Sequence, residues 1–424
     1  MNVVIIGSGA REHALALKIK ESSTLNKLYI IPGNPGTKFL GENVSINPSE
    51  QSKLVKFCKD NEIELVVIGP EQPLVEGLAN VLRENGINVF GPNKEAAQIE
   101  SSKYFAKQVM KEAGVPTAKY ISFTSNMLEP ARDYIRNKKY PCVIKADGLA
   151  AGKGVFVCVE PKEAEEALNL IFHDKFIGES GEKVLVEEFL VGEEVSIFAI
   201  CDGNAFICLP ASQDHKRIGE NDTGKNTGGM GAYAPAPIVT PKMFEEIKNK
   251  IFYPVIKTLS KRSSSFIGCL YAGLIITDEG PKVIEFNCRF GDPETQVVLP
   301  VLKGDFLHLL YTAAIGNIDK AAVEYNGGCS VCVVAASKGY PDSFEKGFEI
   351  SGLNEQQADI IIYHAGTKEI NGKIVTNGGR VLGVTSVLPD FNLMLAKDLA
   401  YKALAKINFK NIYYRKDIAD KAFK

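Results

Sequence analysis

The first hundred residues alternate short apolar runs with segments in which apolar residues recur at helical spacing. The apolar runs lie at 3–7, 28–33, 65–70 and 88–92, and the helical patterns lie at about 10–22, 49–60 and 73–86. Short strands that are apolar throughout and are separated by helices are typical of a parallel sheet covered on both faces. The pattern predicts an N-terminal α/β domain whose ligands bind beyond the carboxyl ends of its strands.

The pattern becomes rich in strands after a predicted helix at about 94–113. Paired strands are predicted within 140–160, 184–203 and 269–290, and a last β-rich unit carries one helix at about 390–406. A polar, glycine-rich stretch at 214–233 has no secondary-structure periodicity. Long irregular segments inside compact domains are usually functional, so we expect a mobile active-site loop there.

Composition and charge narrow the class of protein. The 424 residues are 45% apolar and 24% charged, which is typical of a soluble globular protein of about two to four domains. No apolar run approaches the ~18 residues of a membrane span, and the N-terminal run is too short for a signal peptide. A net charge of −2 excludes a general basic field for nucleic acid or an anionic membrane. Nine scattered cysteines fit reduced thiols, so we expect a cytoplasmic protein without membrane, nucleic-acid or obligate protein partners.

Two glycine loops follow the first two predicted strands. Gly7 and Gly9 stand between a buried strand and a helix, where free N–H groups and the helix dipole attract an anion. The second loop contains Asn34, Pro35, Gly36 and Thr37. A dinucleotide fingerprint needs a third glycine where Glu12 stands and an acid at the end of the second strand. Both are missing, which disfavours a nicotinamide-dependent dehydrogenase and leaves a monophosphate site or simple tight turns.

A second glycine-rich segment, at 148–155, fails the Walker A pattern in its spacing and in the strand that follows it. It predicts a hairpin tip of small residues that covers a triphosphate and moves to admit it. Lys145, in the strand before it, shares one strand face with Asp147. A lysine in the middle of a strand is costly unless an anion meets it, and the residues alone leave open a ligand-binding or a surface lysine.

The segment 283–296 combines metal-ligating and cationic residues. On a strand of period two, Glu285, Asn287 and Arg289 share one face, while 284, 286 and 288 face the core. A carboxylate and an amide oxygen suit Mg²⁺, and a neighbouring arginine holds a phosphoryl oxygen in transfer. The alternative is a solvated strand face, but the polar turn that follows favours function. Upstream, Asp214, His215 and Lys216 precede the glycine-rich stretch, and His215 is interpreted as a surface histidine.

The order of these motifs closely resembles the glycinamide ribonucleotide synthetase family of ATP-grasp enzymes. The matching segments run from residue 7 to 384 and are REHA, PGNPGT, VIGPEQPLVEG, VIKADGLAAGKGV, EEFLVGEEVS, ASQDHKR, NTGGMGAYAPAP, LYAGL, IEFNCRFGDPETQ, HAGT and TNGGRVLGV. The resemblance implies that ATP and glycine give ADP and glycyl phosphate, from which the amine of 5-phosphoribosylamine displaces phosphate in purine biosynthesis. The alternative is another ATP-grasp carboxylate–amine ligase.

The resemblance also implies a domain organisation. It comprises an N-terminal parallel-sheet (pre-ATP-grasp) domain at 1–102, an ATP-grasp domain at 103–325 and a small β-rich domain at 326–424. A flexible lid is expected at about 118–192 within the ATP-grasp domain.

Site residues are implied position by position. Those expected on ATP phosphates are Lys103, Lys145, Gly148, Gly152, Lys153 and Gly154; those at the adenine are Glu187, Glu188, Phe189 and Leu190, and Glu194 is expected at the ribose. Glu285 and Asn287 are expected to hold Mg²⁺ or Mn²⁺, with water and phosphates completing the shell, because Ile275 and Ile276 stand where many ATP-grasp enzymes carry another acid. The residues expected around glycine and its acyl phosphate are Asp214, His215, Lys216, Arg289, Gly291, Asp292 and Pro293. The phosphate of phosphoribosylamine is assigned to Gly7, Gly9 and 34–37, and the catalytic residues are Arg289, Asp214 and Lys145.

Overall fold

The computed structural model describes residues 1–149, 154–172, 182–353 and 358–423. The N-terminal unit contains strands β1 (Asn2–Gly7), β2 (Lys27–Pro32), β3 (Glu42–Asn43), β4 (Leu65–Ile68) and β5 (Asn88–Phe90) and helices α1 (Ala10–Lys20), α2 (Gln51–Asp60), α3 (Glu71–Val75), α4 (Leu78–Glu84), α5 (Lys94–Ser101) and α6 (Lys103–Ala113). The strands form one parallel sheet in the order β3-β2-β1-β4-β5. The predicted parallel sheet is confirmed, and its strands are short and apolar because helices cover both faces.

A second sheet follows α6 and is antiparallel. Its elements are β6 (Tyr120–Thr124), α7 (Leu128–Arg136), β7 (Cys142–Ala146), β8 (Val155–Cys158), α8 (Pro161–Phe172) and β9 (Lys183–Glu188). The strand order is β6-β9-β7-β8, and both helices pack on the sheet around a separate apolar core. The predicted hairpin of β7 and β8 is present, and its tip at 150–153 lies outside the described residues.

The central sheet carries the longest strands. Its elements, with those that follow along the chain, are β10 (Glu193–Asp202), β11 (Phe206–Cys208), β12 (Gln213–Asp214), β13 (Arg217–Gly219), β14 (Thr223–Asn226), β15 (Gly231–Ala234), α9 (Pro241–Ile247), α10 (Tyr253–Lys261), β16 (Ile267–Thr277), β17 (Gly280–Asn287), α11 (Thr295–Val298), β18 (Leu302–Gly304), α12 (Phe306–Ala314) and β19 (Val323–Tyr325). The sheet has the order β11-β10-β16-β17. The pairing of β16 with β17 shifts at a bulge between Gly273 and Leu274. This bulge breaks the strict alternation predicted for 283–288, so Val283 is buried while Ile284 is partly exposed.

The C-terminal sheet combines distant parts of the chain. Its later elements are β20 (Cys329–Ser337), β21 (Ile360–His364), β22 (Thr367–Ile370), β23 (Lys373–Thr376), β24 (Arg380–Leu388), α13 (Leu393–Leu404) and β25 (Ile412–Tyr413). The order is β12-β15-β20-β24-β21, and β25 pairs with β20. Strands β12 and β15, placed by sequence in the ATP-grasp unit, therefore belong to this sheet, while the domain bounds at 102 and 325 stay a prediction. In the described ranges, no helix is long and apolar enough to cross a membrane.

Candidate active site

The two oxygen ligands predicted on β17 lie side by side at the end of that strand. Asn287 pairs with Tyr271, and Glu285 pairs with Gly273, so their side chains share one face. Gly273 leaves room for the acid, since a Cβ there would lie 3.2 Å from Glu285 Cγ. The Glu285 side chain is 39% exposed, and Lys216 Nζ lies 3.9 Å from its Oε1. A half-exposed carboxylate beside an amide oxygen fits a hard divalent cation that keeps water and phosphate ligands.

The described part of the chain has no cluster of three or more His, Cys, Asp or Glu side chains that could hold a metal ion. Ile275 and Ile276, where the resemblance led us to look for another acid, lie on β16. Glu285 and Asn287 together offer two oxygen donors, which is fewer than a complete cage of protein ligands would need.

Arg289 lies beyond the end of β17, and its guanidinium enters a buried ion-pair network. It donates to Glu71 at 3.2 Å, to Glu100 at 2.9 Å and to the Phe290 carbonyl at 3.3 Å. Burial raises the pKa of Glu100, although Arg289 opposes this. Burial also acts on Glu71, but Arg289 and Arg11 hold the pKa of its carboxyl below the usual range. Strand pairing ends at Asn287, but burial continues to alternate, with Arg289 partly exposed between the buried Cys288 and Phe290, so the shared face of Arg289 stays a prediction.

Lys145 is a buried ion-pair partner, which excludes the surface-lysine alternative. Its side chain is 8% exposed, and its Nζ lies 3.0 Å from Glu187 Oε2 and 3.3 Å from the Ile284 carbonyl. Lys107 Nζ lies 3.2 Å from the other oxygen of Glu187. Burial lowers the pKa of Lys107 to about 8, while Glu187 opposes that shift. The Glu187 side chain thus holds two lysines, and only its backbone remains for the predicted adenine contact.

The start of the glycine-rich hairpin contacts the N-terminus of α6. Asp147 accepts hydrogen bonds from Ser102 Oγ and from the Tyr104 amide, and Lys103 Nζ donates to the Gly148 carbonyl at 2.9 Å. Burial lowers the pKa of Lys103, with Lys145 adding to the shift and Glu285 opposing it. Gly154 accepts from the Ala146 amide. Gly152 and Lys153, which were predicted to contact phosphates, lie outside the described residues.

The segment between β9 and β10 keeps several groups near the cleft. Glu188 Oε1 accepts from the Lys119 amide, and the side chain of Phe189 is 40% exposed beside Leu190. The Glu194 carboxylate is 44% exposed and lies 2.8 Å from Lys216 Nζ. Lys216 lowers the pKa of Glu194. Lys216 thereby connects the residue predicted at the ribose with the predicted metal ligand Glu285.

Asp214 is buried in β12 next to this lysine. Burial raises its pKa to about 7; Lys216 opposes the shift, and Glu294 adds to it. Its neighbour His215 is fully buried, which makes the prediction of a surface histidine wrong. Burial lowers the pKa of His215 to about 4, and both ring nitrogens lack a hydrogen-bond partner within the described ranges. The ring is therefore neutral and packs against Tyr233.

The turn at 291–293 is fixed by groups from two other segments. Arg380 Nη2 lies 3.1 Å from Asp292 Oδ2, and Gln296 Nε2 donates to Asp292 Oδ1 at 2.6 Å. Pro293 lies against Gly229, and a Cβ at Gly291 would clash with the buried Glu294. Sequence reasoning assigned no role to Glu71, Glu100, Lys107 or Arg380, although Glu71 and Arg380 lie inside the recognised motifs VIGPEQPLVEG and TNGGRVLGV.

The first glycine loop surrounds a protein carboxylate. Gly9 N donates to Glu12 Oε2 at 2.6 Å, and a Cβ at Gly7 would lie 2.5 Å from Glu12 Cδ. Arg11 Nε donates to the other oxygen of Glu12 at 2.6 Å, and the Glu12 residue is 2% exposed. The expectation that the Gly9 amide is open to phosphate is therefore wrong, since Glu12 occupies the N-terminus of α1.

The second loop borders a cavity against the C-terminal unit. Asn34 Nδ2 donates to the Ser8 and His364 carbonyls, and its Oδ1 accepts from the amides of Gly36 and Thr37. A cavity of about 560 Å³ opens beside it, and its lining includes Ser8, Asn34, Pro35, Lys38, Gly366 and Lys368. The predicted 34–37 loop thus lies at a site with two nearby lysines.

Comparison with known proteins gives matches along the whole chain. Family models of phosphoribosylglycinamide synthetase match in order, with the N domain at 1–100, the ATP-grasp (A) domain at 101–295 and the C domain at 330–421. A phosphoribosylamine–glycine ligase of Caldanaerobacter subterraneus is 46% identical over 419 residues, which are 99% of each chain. One from Synechocystis is 47% identical over 427 residues, covering 100% of both. The crystal structure of the Thermotoga maritima phosphoribosylamine–glycine ligase has a TM-score of 0.86 at 36% identity, covering 99% of this chain and 100% of that one.

Proposed function

The chain belongs to the phosphoribosylglycinamide synthetase family, and we propose that it joins glycine to the amine of 5-phosphoribosylamine at the expense of ATP. The predicted family and the ATP-grasp fold class are both confirmed. The observation that supports this activity is the sequence identity of 46% and 47%, over the full length, with two phosphoribosylamine–glycine ligases. The reaction gives glycinamide ribonucleotide, ADP and phosphate in purine biosynthesis.

The chemistry requires activation of a carboxylate. Glycine's carboxylate is a poor electrophile, so its oxygen attacks the γ-phosphorus of ATP and gives glycyl phosphate and ADP. The amine of phosphoribosylamine then attacks the glycyl carbon, and phosphate leaves. Catalysis of such steps rests on positioning and charge stabilisation, with water kept out of the closed site. The protein itself needs no nucleophile.

We assign the ATP site to the cleft between the β6-β9-β7-β8 sheet, which contains the predicted lid, and the central sheet. Lys103 and Lys145 lie where they neutralise phosphate charge, and the shared carboxylate of Glu187 orients Lys145. The loop from Gly148 to Gly154 is assigned to the phosphates, and Gly152 and Lys153 within it lie outside the described residues. The backbone of 187–190 faces adenine, and the half-exposed Glu194 accepts ribose hydroxyls.

Glu285 and Asn287 would hold Mg²⁺ or Mn²⁺, since their oxygen donors and partial exposure fit such an ion. When bound, the ion neutralises negative charge on the transferring phosphoryl group. Lys216 lies next to this pair and contributes a positive charge to the same region.

Glycine is assigned to the pocket bounded by Asp214, Arg289 and the turn 291–293. The buried carboxylate of Asp214 attracts the glycine ammonium group when it is ionised. Arg289 is the proposed partner of the glycine carboxylate that attacks the γ-phosphorus, while Glu71 and Glu100 fix the plane of its guanidinium. His215 is fully buried and packs against Tyr233, so no direct contact with glycine is assigned to it.

The phosphate of phosphoribosylamine is assigned to the cavity beside Asn34 and Pro35. Its lining carries the cations Lys38 and Lys368 together with Gly33 and Gly366. Gly7 and Gly9 shape the adjoining wall through Glu12 instead of binding the phosphate themselves.

An ADP-release assay tests the proposed function. We expect ADP formation that requires ATP, Mg²⁺, glycine and phosphoribosylamine generated in place, and formation of the amide product by mass. In the control reaction, the free amino acid alanine replaces glycine as the substrate. ADP release with a different acid or a different amine, and none with this pair, would support another ATP-grasp carboxylate–amine ligase. We further propose a cytoplasmic location, in line with nine cysteines that are all free.

A further inference from the structure

We propose that the C-terminal segment 413–421 clamps the loop 214–231 and that Arg415 is a positioning residue for Asp214 and Lys216. The inference rests on the proposed function, because it assigns a further residue to the same site. Arg415 lies about two hundred residues from that loop in sequence, and no motif in the chain connects the two.

Arg415 is completely buried and joins the tail to the loop. Its Nη1 donates to the Arg217 carbonyl and to Asp222 Oδ1, each at 2.9 Å. Its Nε and Nη2 donate to the two oxygens of Asp417 at 2.8 Å and 2.6 Å. A buried guanidinium with four charge-assisted or carbonyl contacts has one geometry, since each lost partner leaves a buried charge unsatisfied.

Other tail residues contact the same loop. Asp417 accepts from the Asn221 amide at 2.8 Å, and Lys421 Nζ lies 2.6 Å from Asp222 Oδ2. Tyr413 Oη donates to the Ile218 carbonyl at 2.7 Å. The tail therefore contacts backbone groups of the segment that contains the β13–β14 hairpin as well as the acidic side chain of Asp222.

The hairpin needs such an external support. Strands β13 and β14 pair with each other, their register is interrupted, and every residue of β14 is exposed. An isolated two-stranded hairpin is marginal in water. The Arg217 carbonyl held by Arg415 is one residue from Lys216, whose Nζ contacts Glu194 and Glu285. Asp214 lies in β12, two residues before Lys216. A fixed position of the Arg217 carbonyl therefore restricts the side chains of both Asp214 and Lys216.

The clamp predicts a kinetic effect that a loss of stability alone would not produce. Arg415→Lys keeps the charge but cannot hold the Arg217 carbonyl, Asp222 and Asp417 together. We expect kcat/KM for glycine to fall about tenfold or more, since displacement of catalytic groups by about 1 Å has effects of this size. The KM for phosphoribosylamine, whose assigned cavity lies elsewhere, is expected to change little.

A milder variant keeps the test independent of folding. Tyr413→Phe removes one hydroxyl from the Ile218 carbonyl, and Tyr325→Phe removes an equivalent hydroxyl from the Gly328 carbonyl in the turn between β19 and β20. Circular dichroism and thermal melts establish that each full-length variant is folded before ADP release is measured. We expect Tyr413→Phe to lower kcat/KM for glycine about threefold and Tyr325→Phe to leave it unchanged.

The outcomes separate the clamp from the proposed function. A parent chain that releases no ADP with glycine and phosphoribosylamine overturns the proposed function. An active parent with unchanged glycine kinetics in Tyr413→Phe and in any folded Arg415→Lys overturns the clamp alone. Equal losses in Tyr413→Phe and Tyr325→Phe also overturn it, because the effect would then be general destabilisation.

Discussion

At the scale of single residues, burial decides which charged groups act on one another and which face the cleft. Arg289 and Lys145 are both held by glutamates, and both lie beside the strand that carries Glu285. Lys216 instead lies between two half-exposed acids. The first two cations are therefore fixed before any ligand arrives, which is the condition for electrostatic stabilisation without reorganisation.

Arg289→Lys tests whether the fixed guanidinium acts on the reaction. Lysine keeps the charge but loses the planar group that bridges Glu71 and Glu100 and offers two donors to one substrate carboxylate. We expect kcat to fall about 10²–10³-fold with little change in the KM for ATP, as for an interaction made mainly in the transition state. Steady-state kinetics with ATP and glycine each varied measure both constants.

The control for Arg289→Lys is Glu100→Gln, which weakens the ion pair from its far side and keeps the guanidinium. If Arg289 only stabilises the fold, both variants will lower the melting temperature to a similar extent. A kcat for Arg289→Lys within about threefold of the parent contradicts the catalytic role.

At the scale of elements, the local pattern predicted strands and helices but not the interruptions in them. Period-two alternation correctly placed Glu285 and Asn287 together, because the partner residues Gly273 and Tyr271 alternate in the same way. It failed at Ile284, since a bulge depends on the register of the partner strand. The end of strand pairing at Asn287 had no signal either, because nothing in the local alternation marks where pairing stops.

The first glycine loop shows a local signal with two interpretations. Glycines before a helix predicted an anion at the N-terminus of α1, and an anion is there, but it is the carboxylate of Glu12. Glu12 stands at the third position of α1, where a capping-box acid reaches back to the N-cap amide. That spacing is readable in the sequence, so the correct interpretation was available without a structure.

Glu285→Gln and Asn287→Leu test the strand end as a metal site. Both changes leave the core-facing Phe286 in place, so we expect unchanged circular dichroism and loss of turnover at limiting Mg²⁺. Lys282→Gln is the matched control, since Lys282 lies on the same strand and pairs with the exposed Glu279. If either site variant is as active as the parent at limiting Mg²⁺, the assignment of that residue as a metal ligand is wrong.

At the scale of the whole molecule, the sequence predicted the order of the units but not the contacts between their distant parts. The sheet shared by β12, β15 and β20 joins segments about one hundred residues apart. Arg380 reaches Asp292, and the His364 amide donates to His13 Nδ1. Periodicity describes only neighbours along the chain, so none of these contacts, nor the burial of His215, had a local signal.

The buried histidines predict how global stability depends on pH. Burial lowers the pKa of His13 to about 3, with His364 adding to the shift, and lowers the pKa of His215 and of His364 to about 4. Unfolding returns each to about 6.5, so between about pH 4 and 6.5 the unfolded chain binds more protons at these sites. Stability from these groups is therefore complete above pH 6.5 and is lost as the pH falls. Asp214, with a raised pKa of about 7, acts in the opposite direction over this range.

Urea unfolding between pH 4.5 and 7 isolates one of these groups in the variant His364→Asn. Asparagine retains a polar atom near Thr367 but takes up no proton on unfolding, while Asp214 contributes equally to variant and parent. We expect the free energy of unfolding to fall less steeply with decreasing pH in the variant, by about 1.4 kcal/mol per pH unit below 6.5, the value for one proton. Identical slopes in parent and His364→Asn would mean that His364 is protonated in the folded chain, which its burial against the first domain argues against.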